Sequence, residues 1–179
     1  MDPSFFSGLP ICTVGYLLRE RKGRKEVYLS TKAATPKAVK RKIAGKLLGF
    51  GGDFEPDKDS SVVESFAREL GEESDFKADP KDMRFVARIL IRDENGPRLV
   101  LDYVLVSAWS GEAGNNREFT DSGWYPTDPL PDNILGADKL ILPRVFRGEL
   151  LEGYVEYDAN MAVVSSELAP VDSLVDTTA

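Results

Sequence analysis

A glycine cluster followed by an amphipathic helix constrains the fold of this chain more than any other stretch. Residues 49–52 read GFGG, and further on apolar side chains recur at three- and four-residue spacing, at Val63, Phe66, Ala67 and Leu70. That spacing places them on one face of an α-helix, and such a face is typically buried. Residues 49–76 are therefore predicted to form a glycine loop that leads into a helix packed against the rest of the domain.

Three glutamates of the same helix share a different face. Glu69, Glu72 and Glu73 are three and four residues apart, so their carboxylates lie within reach of one another and repel. A hard divalent cation, Mg²⁺ or Mn²⁺, would relieve this repulsion, because it prefers oxygen ligands and keeps positions for water and phosphate oxygens. The alternative is a solvated acidic face in which Arg68 pairs with Glu64 and Glu72. The glycines upstream favour the metal site.

Composition narrows the class of protein. The 179 residues suit one domain, predicted over residues 1–170, with residues 171–179 as a flexible tail. A net charge of −7 argues against binding a nucleic acid polymer. The absence of histidine and the single Cys12 exclude imidazole catalysis and thiolate metal clusters. Because no apolar run reaches membrane-spanning length and no leader is apparent, we expect a soluble cytoplasmic protein. It is expected to be a monomer or a homodimer.

The remaining chain alternates between strands, turns and one further helix. Strands are predicted at Ile11–Leu18, Glu26–Thr31, Met83–Arg92, Arg98–Ala108 and Glu118–Tyr125, with a hairpin of Gly153–Tyr157 and Met161–Ser165. A second helix is predicted at Leu140–Leu151, with Pro143 in its first turn. Residues 35–46 are predicted to form a basic loop, either solvated or placed to attract phosphate. The order β-β-α-β-β-β-α-β-β predicts an α/β/α sandwich with a mixed central sheet and a helix on each face.

The helix sequence resembles a known family motif. RELGEES at 68–74 is similar to the REUxEExG core of the Nudix box, where U is a bulky aliphatic residue, and GFGG resembles the glycine turn that precedes it. Three positions depart from the pattern. Ser60 replaces a glutamate that orients the box arginine, the spacing from Gly52 to Arg68 is two residues longer, and Asp75 replaces the closing glycine. Ser60 is also a candidate N-cap of the helix.

Outside the box, the resemblance runs from about Ile11 to about Leu174. It is strongest to the MutT-homologue branch, whose members hydrolyse oxidised purine nucleoside triphosphates such as 8-oxo-dGTP. It rests on Trp124-Tyr125 with the Pro-Leu-Pro turn that follows, on the helix that contains Pro143, and on GYVEY at 153–157. This family resemblance implies the Nudix α/β/α fold, in agreement with the predicted order of elements.

The resemblance also implies a set of site residues. The metal ligands would be Glu69, Glu72, Glu73 and the backbone carbonyl of Gly51, and Arg68 would be a further catalytic residue. The substrate-binding positions would be Lys32, Leu48, Leu135, Asp138 and Tyr157. Leu48 and Leu135 replace an asparagine and a tryptophan of the branch, and Ala137 replaces the first of two base-reading aspartates, so base recognition is expected to differ. The alternative for Asp138 is an acid that interacts with the dipole of the second helix.

The reaction implied is Mg²⁺- or Mn²⁺-dependent hydrolysis of a nucleoside triphosphate to the monophosphate and pyrophosphate. The general base would be a box glutamate, Glu118 or Asp121, and the alternative for the last two is an ordinary polar loop. Two further functions stay open on the sequence. One is hydrolysis of ADP-ribose or another nucleoside diphosphate derivative, and the other is nucleotide binding without catalysis.

Overall fold

The computed structural model describes residues 3–113 and 117–176, which form one mixed sheet of eight strands with three α-helices. The strands are β1 Ile11–Arg21, β2 Arg24–Lys32, β3 Leu47–Leu48, β4 Met83–Asp93, β5 Gly96–Val106, β6 Phe119–Pro126, β7 Leu150–Tyr157 and β8 Val163–Val171. The helices are α1 Pro36–Lys40, α2 Val62–Glu73 and α3 Gly136–Val145. Within the described ranges, no helix has the length and apolar character that crossing a bilayer requires.

The sheet mixes parallel and antiparallel pairs, as predicted. Its strand order is β3-β2-β1-β5-β4-β7-β8, and β6 pairs separately with β2. β1 runs parallel to β5 and antiparallel to β2, while β4 runs antiparallel to β5 and parallel to β7. The two halves of β1 have different partners on one edge. Its second half pairs with β2, whereas its first half, which pairs with β5 on the opposite edge, is bonded there by the glycine loop.

Helices α2 and α3 cover opposite faces of the sheet. Phe66 and Leu70 of α2 pack in one apolar cluster with Leu17 and Val104, whereas Ile141 of α3 packs in the other cluster. The neighbours of those two strand residues, Tyr16 and Leu105, belong to the α3 cluster. Since successive side chains of a strand point to opposite faces, the two clusters lie on the two sides of one sheet. The predicted α/β/α sandwich is confirmed.

The structure corrects the sequence prediction in two connecting segments. The basic loop at 35–46 contains the short helix α1, whose N-cap Thr35 accepts a hydrogen bond from the Ala38 backbone N–H at 3.2 Å. The second helix begins four residues earlier than predicted and ends at Val145, so Pro143 lies near its C-terminus and not in its first turn. Leu150 and Leu151 belong to β7. The apolar run shared by helix and strand hid the boundary between them.

The predicted flexible tail is anchored as far as the structure describes it. β8 continues through Val171, and the segment beyond it returns to the sheet. There the Val175 carbonyl accepts from Arg88 Nη1 at 3.1 Å, and Asp176 Oδ1 accepts from the Val62 backbone N–H at 2.7 Å. Residues 172–176 are therefore tied to the body of the domain, and residues 177–179 lie outside the described residues.

Candidate functional site

The glycine loop is attached to the first half of β1. The Thr13 N–H donates to the Gly52 carbonyl and the Gly15 N–H donates to the Phe50 carbonyl, each at 2.8 Å. Gly51 has φ 150°, and a Cβ there would lie 2.0 Å from the Thr13 carbonyl oxygen. Only glycine permits so close a crossing. The same loop contacts the C-terminal end of α2 through the Gly51 N–H, which donates to Glu73 Oε2 at 2.8 Å.

Helix α2 begins one residue later than a cap at Ser60 would require. Ser61 is the N-cap, with extended backbone at φ −154° and ψ 161°, and its hydroxyl accepts from the Glu64 N–H at 3.1 Å. The prediction that Ser60 caps the helix was wrong. Ser60 instead donates its hydroxyl to the Glu64 carboxylate, because it stands one position outside the cap.

Glu69 and Glu73 form a half-buried carboxylate pair beside the glycine loop. Their side chains are 12% and 11% exposed. Glu73 Oε2 accepts from the Gly51 N–H at 2.8 Å, and Glu69 Oε1 accepts from Arg68 Nη1 at 2.7 Å. Burial raises the pKa of both groups, that of Glu73 to about 7, against the opposing influence of the Gly51 N–H and Lys32. Two carboxylates that are costly to ionise together are a place where a cation is favoured.

Glu72 shares Arg68 Nη1 with Glu69 and is much more exposed than the pair. Its side chain is 60% exposed and lies 3.5 Å from Arg68 Nη1, as in the alternative of a solvated acidic face. Glu64, the other partner in that alternative, bonds Ser60 and not Arg68. Among the described residues, no three Cys, Asp or Glu side chains converge closely enough to hold a metal by themselves. Glu72 as a metal ligand therefore stays a prediction that requires its carboxylate to leave Arg68.

Arg68 is held by a carboxylate that the motif did not indicate. Asp59 accepts from Nε and Nη2 of Arg68, both at 2.9 Å, and its side chain is only 2% exposed. A third hydrogen bond comes from the Glu55 backbone N–H at 2.8 Å. The guanidinium lowers the pKa of Asp59 to about 2. Arg68 thus bridges Asp59 on one side and Glu69 on the other, which is the orienting contact that Ser60 was expected to lack.

Lys32 connects helix α2 to the segment that leads into β6. Its ammonium forms an ion pair with Glu118 and lies 3.9 Å from Glu73 Oε1. Lys32 is 12% exposed, whereas the Glu118 side chain is 52% exposed. Two residues predicted from the resemblance, Lys32 and Glu118, are therefore brought close to Glu73. Asp121 is exposed on β6, which begins one residue after Glu118.

Two residues of the predicted substrate pocket, Asp138 and Tyr157, form hydrogen bonds inside the protein. Asp138 is 2% exposed, and its two oxygens accept from the hydroxyls of Tyr16 and Tyr103 at 2.8 and 2.9 Å. The hydroxyl of Tyr157 accepts from the Ala137 N–H at 2.9 Å, where the α3 N-cap, Leu135, offers no side-chain bond. Asp138 lies in the first turn of α3, as its alternative interpretation required. Base reading by Asp138 and an aromatic pocket wall at Tyr157 stay predictions, and the polar atoms of both side chains are bonded to protein groups.

Leu48 and Leu135 are half-buried, at the end of β3 and at the start of α3. Leu48 pairs with Ser30 of β2, and Leu47 forms a parallel bridge with Ile134, the residue before Leu135. The two leucines are therefore brought near each other by adjoining backbone segments. Their role in substrate binding stays a prediction.

Asp138 makes stability depend on pH in a defined direction. Burial raises its pKa from 3.8 to about 6, so between these values the native state holds a proton that the unfolded state has lost. Its contribution is complete below about pH 3.8 and is lost as the pH rises through about 6. Asp138→Asn should remove about 1.4 kcal/mol per pH unit from the slope of the unfolding free energy in this interval. Urea unfolding at several pH values measures it, and identical slopes would contradict the assignment. Burial also raises the pKa of Asp102 to about 6, so the unfolding free energy of both proteins keeps a residual dependence on pH.

Gly52 is expected to matter for activity more than for stability. A Cβ there would lie 2.4 Å from Glu69 Oε2, the movable end of a side chain. Gly52→Ala should therefore displace the Glu69 carboxylate and lower kcat/KM about tenfold, while the unfolding free energy changes by less than about 1 kcal/mol. Gly71→Ala is the matched control, because nothing lies within 4 Å of a Cβ at that helical position. It should leave activity unchanged and stabilise α2 by about 0.5–1 kcal/mol. Equal activity losses in the two variants would contradict this account.

Sequence reasoning missed Asp59, Tyr16 and Tyr103. Asp59 could have been found from the sequence, because it is an acid next to Ser60, the position where the motif has a glutamate. The loop that contains it is two residues longer than the pattern. The two tyrosines carried no sequence signal, because adjacent parallel strands had to be aligned before their hydroxyls could be placed on one aspartate.

Comparison with known proteins places the fold. No protein-family model and no curated protein sequence matches the chain. The crystal structure of a MutT protein from Bacillus halodurans matches with a TM-score of 0.71 at 20% identity, covering 89% of this chain and 97% of that one. A MutT Nudix hydrolase from Burkholderia pseudomallei matches with 0.59 at 22%, covering 78% and 99%. The NUDIX domain of Shewanella oneidensis NrtR, solved with ADP ribose, matches with 0.59 at 18%, covering 82% and 92%. The chain therefore has the Nudix fold, which confirms the resemblance at the level of the fold.

Proposed function

We propose, from the Nudix fold and the half-buried glutamate pair of α2, that the chain is a pyrophosphohydrolase dependent on Mg²⁺ or Mn²⁺. The observation that carries the proposal is the position of Glu69 and Glu73 against the glycine loop, with Arg68 and Lys32 beside them. The predicted substrate is a nucleoside triphosphate, with an oxidised purine such as 8-oxo-dGTP as one candidate, cleaved to the monophosphate and pyrophosphate.

The donor set fits a hard divalent cation. Glu69 and Glu73 supply carboxylate oxygens, Gly51 has a backbone carbonyl in the same loop, and Gly52 has no Cβ to fill the space beside Glu69. Oxygen ligands of this kind are those that Mg²⁺ and Mn²⁺ prefer. When bound, the cation would neutralise phosphate charge and lower the pKa of a coordinated water.

The protein groups around the carboxylates have distinct proposed roles. Arg68, fixed by Asp59, holds the Glu69 carboxylate in place. Lys32 supplies a positive charge next to Glu73, suited to a phosphate oxygen. Glu118, the residue before β6, faces Lys32 and is the proposed general base outside the box, because its exposed carboxylate can reach solvent water.

A second candidate substrate is ADP-ribose or another nucleoside diphosphate derivative. The observation in its favour is that the polar atoms of Asp138 and Tyr157 are hydrogen-bonded within the protein. Asp138 bonds Tyr16 and Tyr103, and Tyr157 bonds the α3 backbone. A site whose base-reading groups are engaged internally discriminates less by base edge and depends more on the diphosphate. The NrtR domain that shares this fold was solved with ADP ribose.

A product assay separates these functions. The chain would be incubated with Mg²⁺ and, separately, with nucleoside triphosphates, 8-oxo-dGTP and ADP-ribose, and the products would be resolved by ion-exchange chromatography. Monophosphate plus pyrophosphate supports the first candidate, and AMP plus ribose 5-phosphate supports the second. Nucleotide binding by calorimetry without turnover of any substrate would instead support a non-catalytic binding module and overturn the proposal.

A further inference from the structure

The last described residue of the C-terminal segment, Asp176, contacts the start of the helix that carries the proposed metal-binding glutamates. Asp176 Oδ1 accepts from the backbone N–H of Val62, the first residue of α2, at 2.7 Å. We infer that Asp176 is a positioning residue for the site: it fixes the start of α2 and the adjoining loop, and so holds the Glu69 and Glu73 carboxylates against the glycine loop. The inference rests on the proposed function for its effect on activity.

The contact satisfies a group that the helix cannot satisfy alone. The first N–H groups of an α-helix have no partner within the helix. In α2, the Ser61 hydroxyl accepts from Glu64, and Asp176 accepts from Val62, so two of these donors are paired by different parts of the chain. A carboxylate at this end also interacts favourably with the helix dipole. Asp176 thus adds a cap from 114 positions along the chain.

The segment that presents Asp176 is itself fixed to the sheet. The carbonyl of Val175 accepts from Arg88 Nη1 at 3.1 Å. Arg88 in turn donates to both oxygens of Asp102, a fully buried residue of β5, at 2.9 and 2.7 Å. The Arg88–Asp102 pair spans β4 and β5, the strands that α2 covers. The cap is therefore anchored to the same sheet against which the helix packs.

The route from Asp176 to the glutamates is short. Val62 follows Ser61 directly, and Asp59 lies three residues before Val62 in the same loop end. Asp59 holds Arg68, and Arg68 holds Glu69. Loss of the bond at Val62 would free the first turn of α2 together with the loop end that carries Asp59. The Glu69 carboxylate, about 10 Å further along the helix, would lose part of its support.

Three variants test the inference. Asp176→Ala removes the acceptor, Asp176→Asn keeps an oxygen that can accept the same N–H, and Asp172→Ala is the control, an exposed residue of the same segment. Amide hydrogen exchange should show Val62 exchanging about tenfold faster in Asp176→Ala. The asparagine variant should restore protection, and the control should match the wild type.

The second measurement distinguishes positioning from simple capping. In Asp176→Ala, the Mg²⁺ concentration for half-maximal activity should rise about fivefold, with kcat at saturating Mg²⁺ nearly unchanged. Faster exchange at Val62 with an unchanged Mg²⁺ requirement would overturn the inference, as would exchange identical to that of Asp172→Ala. If the wild type hydrolyses no nucleotide, the proposed function fails. Mn²⁺ binding by calorimetry then replaces activity, with the same fivefold difference expected and equal affinities overturning the inference.

Discussion

Replacing Asp59 with alanine is expected to produce the largest loss of stability at the site and a loss of activity with it. The variant leaves the Arg68 guanidinium without the two hydrogen bonds that Asp59 accepts, and leaves the Glu55 N–H without its acceptor. Removing one partner of a buried pair costs about 3 kcal/mol. Because Arg68 also holds Glu69, kcat/KM should fall ten- to a hundredfold, roughly the loss seen when supporting contacts of metal ligands are removed. Chemical denaturation and steady-state kinetics measure the two effects.

The loss should depend on pH in one direction. The pKa of Asp59 is lowered from 3.8 to about 2 by Arg68, so its stabilising contribution is present above about pH 3.8 and is lost as the pH falls toward 2. The difference in stability between wild type and Asp59→Ala should therefore be largest near neutral pH and shrink in acid. A difference that grew in acid would contradict the ion pair.

Ser60→Ala is the matched control, because Ser60 occupies the motif position and is exposed. It should change the unfolding free energy by no more than about 0.5 kcal/mol and leave kcat/KM near the wild-type value. If Ser60→Ala were as damaging as Asp59→Ala, the orienting role would belong to the motif position and the assignment to Asp59 would be wrong.

Replacing Glu73 with glutamine is expected to abolish most activity without unfolding the protein. Glutamine keeps an oxygen that can accept from the Gly51 N–H, so the contact between helix and loop survives. It removes the anionic oxygen next to Lys32 that a divalent cation requires. We expect kcat/KM to fall at least about a hundredfold while the melting temperature stays within about 3 °C of the wild type.

Glu64→Gln is the control for this variant, since Glu64 lies on the same helix, is exposed and bonds Ser60. Both variants lose one negative charge, so a general charge effect would appear in both. Retained activity in Glu73→Gln, measured as pyrophosphate or monophosphate release, would overturn the role of Glu73 as a metal-binding carboxylate. Equal losses in the two variants would show that Glu73 has no special role.

The sheet and α2 could be predicted because their patterns were strong and local. β4 and β5 are long apolar strands joined at Asn95-Gly96, and α2 has a regular apolar face. The positions of Lys32 and Glu118 near Glu73 came from the resemblance and not from spacing. Their proximity in the structure depends on β2 pairing with β6, with Lys32 opposite Phe119. Long-range pairing of that kind leaves no local trace in the sequence.

The errors have equally specific causes. α1 has only five residues, too short to show an apolar period, although Thr35-Pro36 is a typical helix start. Pro143 suggested a helix beginning, but it lies in the last turns of α3. There it removes one N–H and leaves the first turns intact. Asp138 was placed correctly at the helix start, yet its contacts depended on two tyrosines from separate strands. Boundaries and buried polar contacts were therefore the features that sequence alone could not supply.

The attachment of the glycine loop to β1 has a consequence for how this kind of site can vary. The loop is tied to β1 as far as Phe54, whose N–H donates to the Ile11 carbonyl, and α2 is fixed from Ser61 onward. Residues 55–60 span the interval, so insertions and deletions there change the path of the connection and leave both halves of the site in place. Any acid in this connection whose carboxylate can reach Arg68 could then form the ion pair, so its position in the sequence can differ between related chains. A search for related chains should accordingly ask for an acid within reach of the arginine and let the length of this connection vary.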